Sequence, residues 1–180
     1  MKTRILACAA LLSGMAISPA AQAAALGILD ETRFGVLAHD IPFGDPKREP
    51  GLDINGELLF VSPDLFQFFW APRPTLGANV STAGKNSSVY FGLTWEANFT
   101  SLFFADLGLG GAVHDGPDNS STSDHKGLGT RLLFHESLSA GFRITPTWNV
   151  SAYLDHISNA NLGNHNPGIT NAGLRLGYVF

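Results

Sequence analysis

The sequence predicts an all-β chain, an eight-stranded antiparallel transmembrane β-barrel preceded by an export signal. Three observations carry that expectation. Apolar residues alternate with polar or small ones through most of the chain, the period of a strand with two unlike faces. Those faces oppose large apolar side chains to glycine or charge, as lipid outside and a narrow polar lumen inside require. Connections alternate between short and long, as they do on the two sides of a membrane barrel.

Residues 1–23 read as a signal peptide. Lys2 and Arg4 precede an apolar run from Ile5 to Ile17, and Ala21-Gln22-Ala23 supplies the small-x-small cleavage pattern. The run is too short, and too broken by Ser13, Gly14 and Pro19, to cross a bilayer. The only cysteine, Cys8, lies inside it, so the mature chain has no thiol for a disulfide or a nucleophile. Residues 24–180 then form a single domain, because no shift of composition divides them.

The first three strands are expected near Thr32 to Ala38, Leu52 to Ser62 and Thr75 to Ser81. Between the second and third, Pro63 to Pro74 is long for a turn; with Phe66, Phe68, Phe69 and Trp70 it reads as an interfacial turn carrying part of an aromatic belt. The clearest strand runs Ser88 to Phe99, with Val89, Phe91, Leu93, Trp95, Ala97 and Phe99 on one face. The next, about Leu102 to Val113, sets Phe103, Ala105, Leu107 and Leu109 against Asp106, Gly108 and Gly110. A sixth, about Gly129 to Ile144, sets Leu132, Phe134, Leu138, Ala140 and Phe142 against Arg131, His135, Ser139 and Arg143.

A tight turn at Thr145-Pro146-Thr147 leads into the seventh strand, where Trp148, Val150, Ala152 and Leu154 oppose Asn149, Ser151, Tyr153 and Asp155. The last strand, about Thr170 to Phe180, alternates in the same way, and its terminal Phe resembles the insertion signal of outer-membrane barrels. Asn98 to Ser101 and Thr145 to Thr147 are the short turns; His114 to Lys126 and Ala160 to Pro167 are the long polar loops.

The formal net charge is -4, and Lys and Arg are scattered, which argues against a nucleic-acid partner. His114, His125 and His165 lack metal-ligand spacing, His39 lies near an outer loop, and there is no Gly-x-Ser-x-Gly elbow or phosphate loop. Asp106, Glu96, Arg131 and Arg143 are expected as lumen ion pairs, since buried charges need partners.

An eight-stranded barrel fills its lumen with side chains, so function belongs to its loops or its outer wall. On the apolar face of the seventh strand, the two positions after Leu154 are His156 and Ser158. Both point outward, about 7 Å apart along the strand, where polar groups are costly to desolvate without partners. A His that takes a Ser proton is the minimum apparatus for nucleophilic acyl transfer. The plainer reading is a strand end that has already entered the headgroup region.

His156-Ile157-Ser158-Asn159-Ala160, followed by Asn166-Pro167-Gly168 and the strand ending Gly177-Tyr178-Val179-Phe180, resembles the C-terminal end of PagL-type lipid A 3-O-deacylases. Trp70-Ala71-Pro72-Arg73-Pro74 and Tyr90-Phe91-Gly92-Leu93-Thr94-Trp95 also resemble family segments. The resemblance implies an outer-membrane serine esterase that removes the 3-position acyl chain of lipid A in the outer leaflet of a Gram-negative cell. It implies Ser158 as nucleophile, His156 as base and Asn159 at the oxyanion site, with no metal or organic cofactor. The family's acid falls on Thr170, which cannot carry the negative charge that stabilises an imidazolium. No Asp or Glu follows Asp155.

Pairing the sixth and seventh strands symmetrically about Pro146 sets Glu136 opposite His156 on the outer face, where a partner at about 5 Å can orient the ring. Glu136 is equally readable as a solvated charge at headgroup level. The candidate set is therefore Ser158, His156, Glu136 and Thr170, with two functions open: a lipid A esterase, or a catalytically silent barrel with a structural or surface-interaction role. Monomer and homodimer both fit the sequence.

Overall fold

The computed structural model describes residues 27–42, 49–118 and 125–180. The expected signal peptide, including Cys8, lies outside them. Eight strands follow in order: β1 (Leu29–His39), β2 (Gly51–Phe60), β3 (Arg73–Ser81), β4 (Ser88–Asn98), β5 (Phe103–His114), β6 (Leu132–Arg143), β7 (Trp148–Ser158) and β8 (Ile169–Val179). They form a closed barrel in which each strand pairs with its sequence neighbours and β1 pairs antiparallel with β8. Closure leaves no strand edge unpaired, which a lipid environment demands because no water is available there to satisfy backbone N–H and C=O groups.

Alternation sorts the side chains as expected. Phe34, Val36, Leu52, Ile54, Leu107, Leu138, Phe142 and Leu174 are exposed on the outside. The residues between them, including Arg33, Asp53, Asn55, Asp106, Ser139 and Arg175, are buried in the lumen. There Arg33 meets Glu31 at 2.8 Å and Asp106 at 2.7 Å. Arg175 meets Glu57 at 3.0 Å, and Glu96 bridges Arg143 at 2.6 Å and Arg73 at 3.0 Å. The Tyr90 ring stacks on His135 with centroids 4.1 Å apart, while the Arg175 guanidinium lies 3.6 Å from the Tyr153 centroid. The lumen is a packed polar core.

Asp106, Glu96 and Arg143 thus join lumen ion pairs, but Arg131 does not. Gly129 adopts φ 81, a left-handed conformation that a strand cannot accommodate, so β6 starts only at Leu132. Arg131 stays in the loop, pairing with Asp118 at 3.3 Å and donating to the carbonyls of His114 and Gly116 at 2.9 Å.

The aromatic segment between β2 and β3 is a short 3-10 helix, Asp64–Phe69, ended by Trp70 and Ala71 in left-handed conformations. Trp95 Nε1 donates to the Phe69 carbonyl at 2.8 Å and ties the helix to β4. Leu65, Phe68 and Trp70 remain largely exposed, with Trp70 at 88%. This helix shares one end of the barrel with the short turns after β4 and β6. The opposite end carries the long connections after β1, β5 and β7.

Candidate active site

Three strands build the site at the long-loop end of the outer wall. The β6–β7 hairpin sets Glu136 opposite His156 and Phe134 opposite Ser158, the register expected from symmetry about Pro146. The β7–β8 pairing sets His156 opposite Thr170. Below Glu136 and His156 the outer face is continuous with Leu138, Leu154, Ala140 and Ala152, so the polar stripe begins where a leucine-rich wall ends. His156 and Ser158 are half-buried, whereas the residues alternating with them, Asp155 and Ile157, are buried.

The imidazole is held on two sides. His156 Nδ1 lies 2.8 Å from Thr170 Oγ1. When Nδ1–H donates to that hydroxyl, Nε2 carries the lone pair, the tautomer a base needs. Gly168 packs on the other edge of the ring: a Cβ there would come within 2.7 Å of His156 Cε1 and 3.1 Å of Nε2. Gly168 also adopts φ 61, which favours glycine independently of this contact. Ile157 pairs with Ile169, the last pair of the β7–β8 ladder, and Gly168 precedes it outside the strand. Among the described residues Nε2 has no hydrogen-bond partner, and no hydrogen bond joins Ser158 Oγ to the ring.

A buried loop cluster braces Gly168 and Thr170. Lys126 Nζ donates to the Gly168 carbonyl at 3.1 Å and to Asp40 Oδ1 at 2.9 Å. Ile41 N–H donates to the Thr170 carbonyl at 2.7 Å, and Asp40 N–H donates to Asn171 Oδ1 at 3.0 Å. Glu49 accepts from the backbone N–H groups of Lys126 and Asn86 and contacts His39 Nε2 at 3.3 Å. Burial raises the Glu49 carboxyl, but these donors outweigh it and hold the group below its ordinary value.

Glu136 reaches the site by backbone register, not by contact. No hydrogen bond or ion pair joins it to His156 among the described residues, and its Oε2 is buried without a partner. Thr170 and Glu136 are both direct cross-strand partners of His156, on β8 and β6, and the ring's hydrogen bond goes to Thr170.

Asn159 differs from its expected role. It points inward and is buried; its Nδ2 donates to the carbonyls of Leu128 at 2.8 Å and His165 at 2.7 Å. Its backbone N–H donates to Asn166 Oδ1 at 2.8 Å. All its donors are thus committed to the loop, and none is left for a developing oxyanion. The same backbone contact sets the Asn166 amide beside the residue that follows Ser158.

Residues 59–179 match the family model for lipid A 3-O-deacylase (PagL). The chain belongs to the PagL family. A curated relative, the lipid A deacylase PagL of Bordetella bronchiseptica, is 27% identical over 115 residues, 59% of this chain and 61% of the relative. The chain thus spans about three fifths of the length of that relative. The crystal structure of the outer membrane enzyme PagL superposes with a TM-score of 0.62 at 23% identity, covering 83% of this chain and 99% of that one. That likeness concerns the fold.

Within the PagL family resemblance, the structure gathers Ser158, His156, Thr170 and Glu136 on one patch of wall. Sequence reasoning missed Gly168, Lys126, Asp40 and Asn166. Asn166 and Gly168 did carry a signal, since both lie in the Asn166-Pro167-Gly168 turn that resembles the family. Lys126 and Asp40 carried none, because two loops distant in sequence bring them together.

Proposed function

We propose that this protein is a serine esterase of the Gram-negative outer membrane that removes the 3-O-linked acyl chain of lipid A. The carrying observation is the outward pair on β7, with the His156 ring fixed through Nδ1 by Thr170 and its Nε2 without a hydrogen-bond partner among the described residues. Substrate then arrives by lateral diffusion in the outer leaflet. Ser158 Oγ attacks the ester carbonyl while His156 Nε2 takes the hydroxyl proton. The tetrahedral intermediate collapses, His156 returns the proton to the sugar oxygen, and the 3-alcohol leaves. Water, deprotonated by the same ring, then hydrolyses the acyl-serine to a free fatty acid.

Asn166 is the better oxyanion donor. Its Oδ1 is held by Asn159 N–H at 2.8 Å, and Nδ2 remains available to the carbonyl oxygen at Ser158. Asn159 acts through it as a positioning residue. Thr170 likewise positions the ring and selects the tautomer without supplying charge. The charge opposite the imidazolium belongs to Glu136, acting through space: two unit charges about 5 Å apart interact by on the order of 3 kcal/mol at an effective dielectric near 20.

A second reading rests on one observation: no carboxylate is hydrogen-bonded to His156 among the described residues, as a barrel that had lost its acid would show. Mass spectrometry of lipid A from cells expressing the protein separates the two. Loss of one hydroxyacyl chain, abolished by Ser158→Ala, supports the esterase; unchanged lipid A with the barrel correctly inserted supports the silent barrel.

A further inference from the structure

A buried carboxylate oxygen in a wall that faces hydrocarbon is costly unless something donates to it. Glu136 Oε2 is such an atom. It lies at the mouth of an outer-wall groove of about 420 Å³, lined by Leu107, Leu109, Leu138 and Leu154 together with His156 and Thr170. The register gives the groove its direction. Glu136 pairs with Leu109 and with His156, and one same-face step further from the loop end Leu138 pairs with Leu107 and with Leu154. The groove thus begins beside the base and descends, lined by leucine, toward the middle of the membrane. That is the course of an acyl chain whose ester lies at headgroup depth.

We propose that Glu136 is a specificity-determining residue, accepting a hydrogen bond from a hydroxyl on the acyl chain close to the ester while the tail occupies the leucine groove. This rests on the esterase reading above and adds which chain the site selects. Two observations converge on it. The groove walls are largely apolar, so they discriminate poorly among acyl chains of equal length. Asp155 also lines the groove but turns its carboxylate to Asn79 in the lumen, which leaves Glu136 as the outward-facing charged acceptor, and an acyl chain carries a matching donor only if it is hydroxylated. The spacing also fits. Glu136 is a diagonal neighbour of Ser158 across the β6–β7 pair, a separation of about 7–8 Å between backbones. The Glu side chain and a hydroxyl two carbons from the ester carbonyl together bridge that distance. The hydroxyl of a 3-hydroxyacyl chain sits there; in a plain acyl chain the Glu136 oxygen stays buried and unpaired.

The test uses the full-length protein in mixed micelles with a matched pair of synthetic glucosamine lipids, 3-O-esterified with either 3-hydroxydecanoate or decanoate. The expected preference in kcat/KM for the hydroxylated ester is about tenfold to a hundredfold, the range of a hydrogen bond to a charged acceptor. Glu136→Leu, a side chain at home on a lipid face, brings the ratio to within about twofold of one, whatever happens to the absolute rate. Glu136→Gln keeps an acceptor and retains part of the preference. Should Glu136→Leu abolish turnover, binding of the two lipids to Ser158→Ala and to Ser158→Ala/Glu136→Leu reads the same ratio without chemistry. A wild-type protein that shows no preference, or a preference that survives Glu136→Leu, overturns the proposal. Absence of any hydrolysis together with a Glu136-dependent binding preference overturns the esterase reading and leaves the recognition role standing.

Discussion

The lumen and the outer wall treat charge in opposite ways. Inside, Arg33 lies against Glu31, Asp106 and Glu57, at 2.8, 2.7 and 3.6 Å, so a cation closed off from water is compensated from three strands. Outside, His156 has one neutral partner at 2.8 Å, and Glu136 keeps a buried oxygen with none. Charges inside the barrel sit beside opposite charges, even where single lumen atoms such as Asp53 Oδ1 and Asp155 Oδ1 have no hydrogen-bond partner. On the outer wall Glu136 has no opposite charge at ion-pair distance among the described residues, and a lipid-facing wall is where that costs most. The two regions should therefore fail differently when altered.

The largest difference is expected at Ser158. Ser158→Ala should lower deacylation by about a thousandfold or more, as loss of a nucleophile does, and leave the heat-modified gel shift of the folded barrel intact. The converse test is Arg33→Met, which strands the carboxylates around it. Breaking a buried ion pair costs roughly 3–5 kcal/mol, so urea titration of the barrel in lipid vesicles should show a clear fall in midpoint. Its activity per folded molecule should stay near that of the parent, and a normal midpoint would undo the contrast.

Thr170 sharpens the contrast from the outer side. Thr170→Glu restores a carboxylate on the flank where the ring already points, and should raise kcat by about tenfold to a hundredfold with little change in KM. Thr170→Ala should lower kcat, again with KM nearly constant, because the ring loses its tautomer lock. A kcat for Thr170→Glu at or below the parent value would show that Glu136 already supplies all the charge the site can use.

Asn159→Ala belongs to both regions. It removes the Nδ2 bonds to Leu128 and His165 and should cost about 2 kcal/mol or less in stability. It leaves the backbone contact to Asn166 in place, so activity should fall only about tenfold or less. A loss as deep as that of Ser158→Ala would return the oxyanion role to Asn159 itself.

The smallest effect concerns pH. The Glu49 carboxyl is held below its ordinary value, so its contribution to the loop cluster is complete above the ordinary carboxylate range and is lost as pH falls through the lowered value. Acidification through that range should lower the protection factors of the Lys126 and Asn86 amides, taken relative to the intrinsic exchange rate at each pH, and Glu49→Gln should lower them at neutral pH.

How much was readable beforehand varied with the kind of interaction. The eight strands, and the facing of side chains on β4 to β8, followed from alternation, because the period of two is a local property and one face must meet lipid. The Glu136–His156 pairing followed from a tight turn, which ties register to sequence distance. Arg131 was misread because periodicity continues past the point where Gly129 turns the backbone out of the strand. Asn159 was misjudged for a related reason: the resemblance carried the residue type, but only the loop's fold shows where its donors go.

Ser158 and His156 on a lipid-facing wall were determined by the sequence itself, since two residues of like parity in a strand must share a face. The tertiary structure decided the rest of the site. The ring's hydrogen bond went to Thr170 on β8 and not to Glu136 on β6; loops from three connections met over Gly168; and an unpaired carboxylate was left above a leucine groove. These depend on which side chains approach across strands and loops, and that is settled by closure of the barrel and not by any local pattern along the chain.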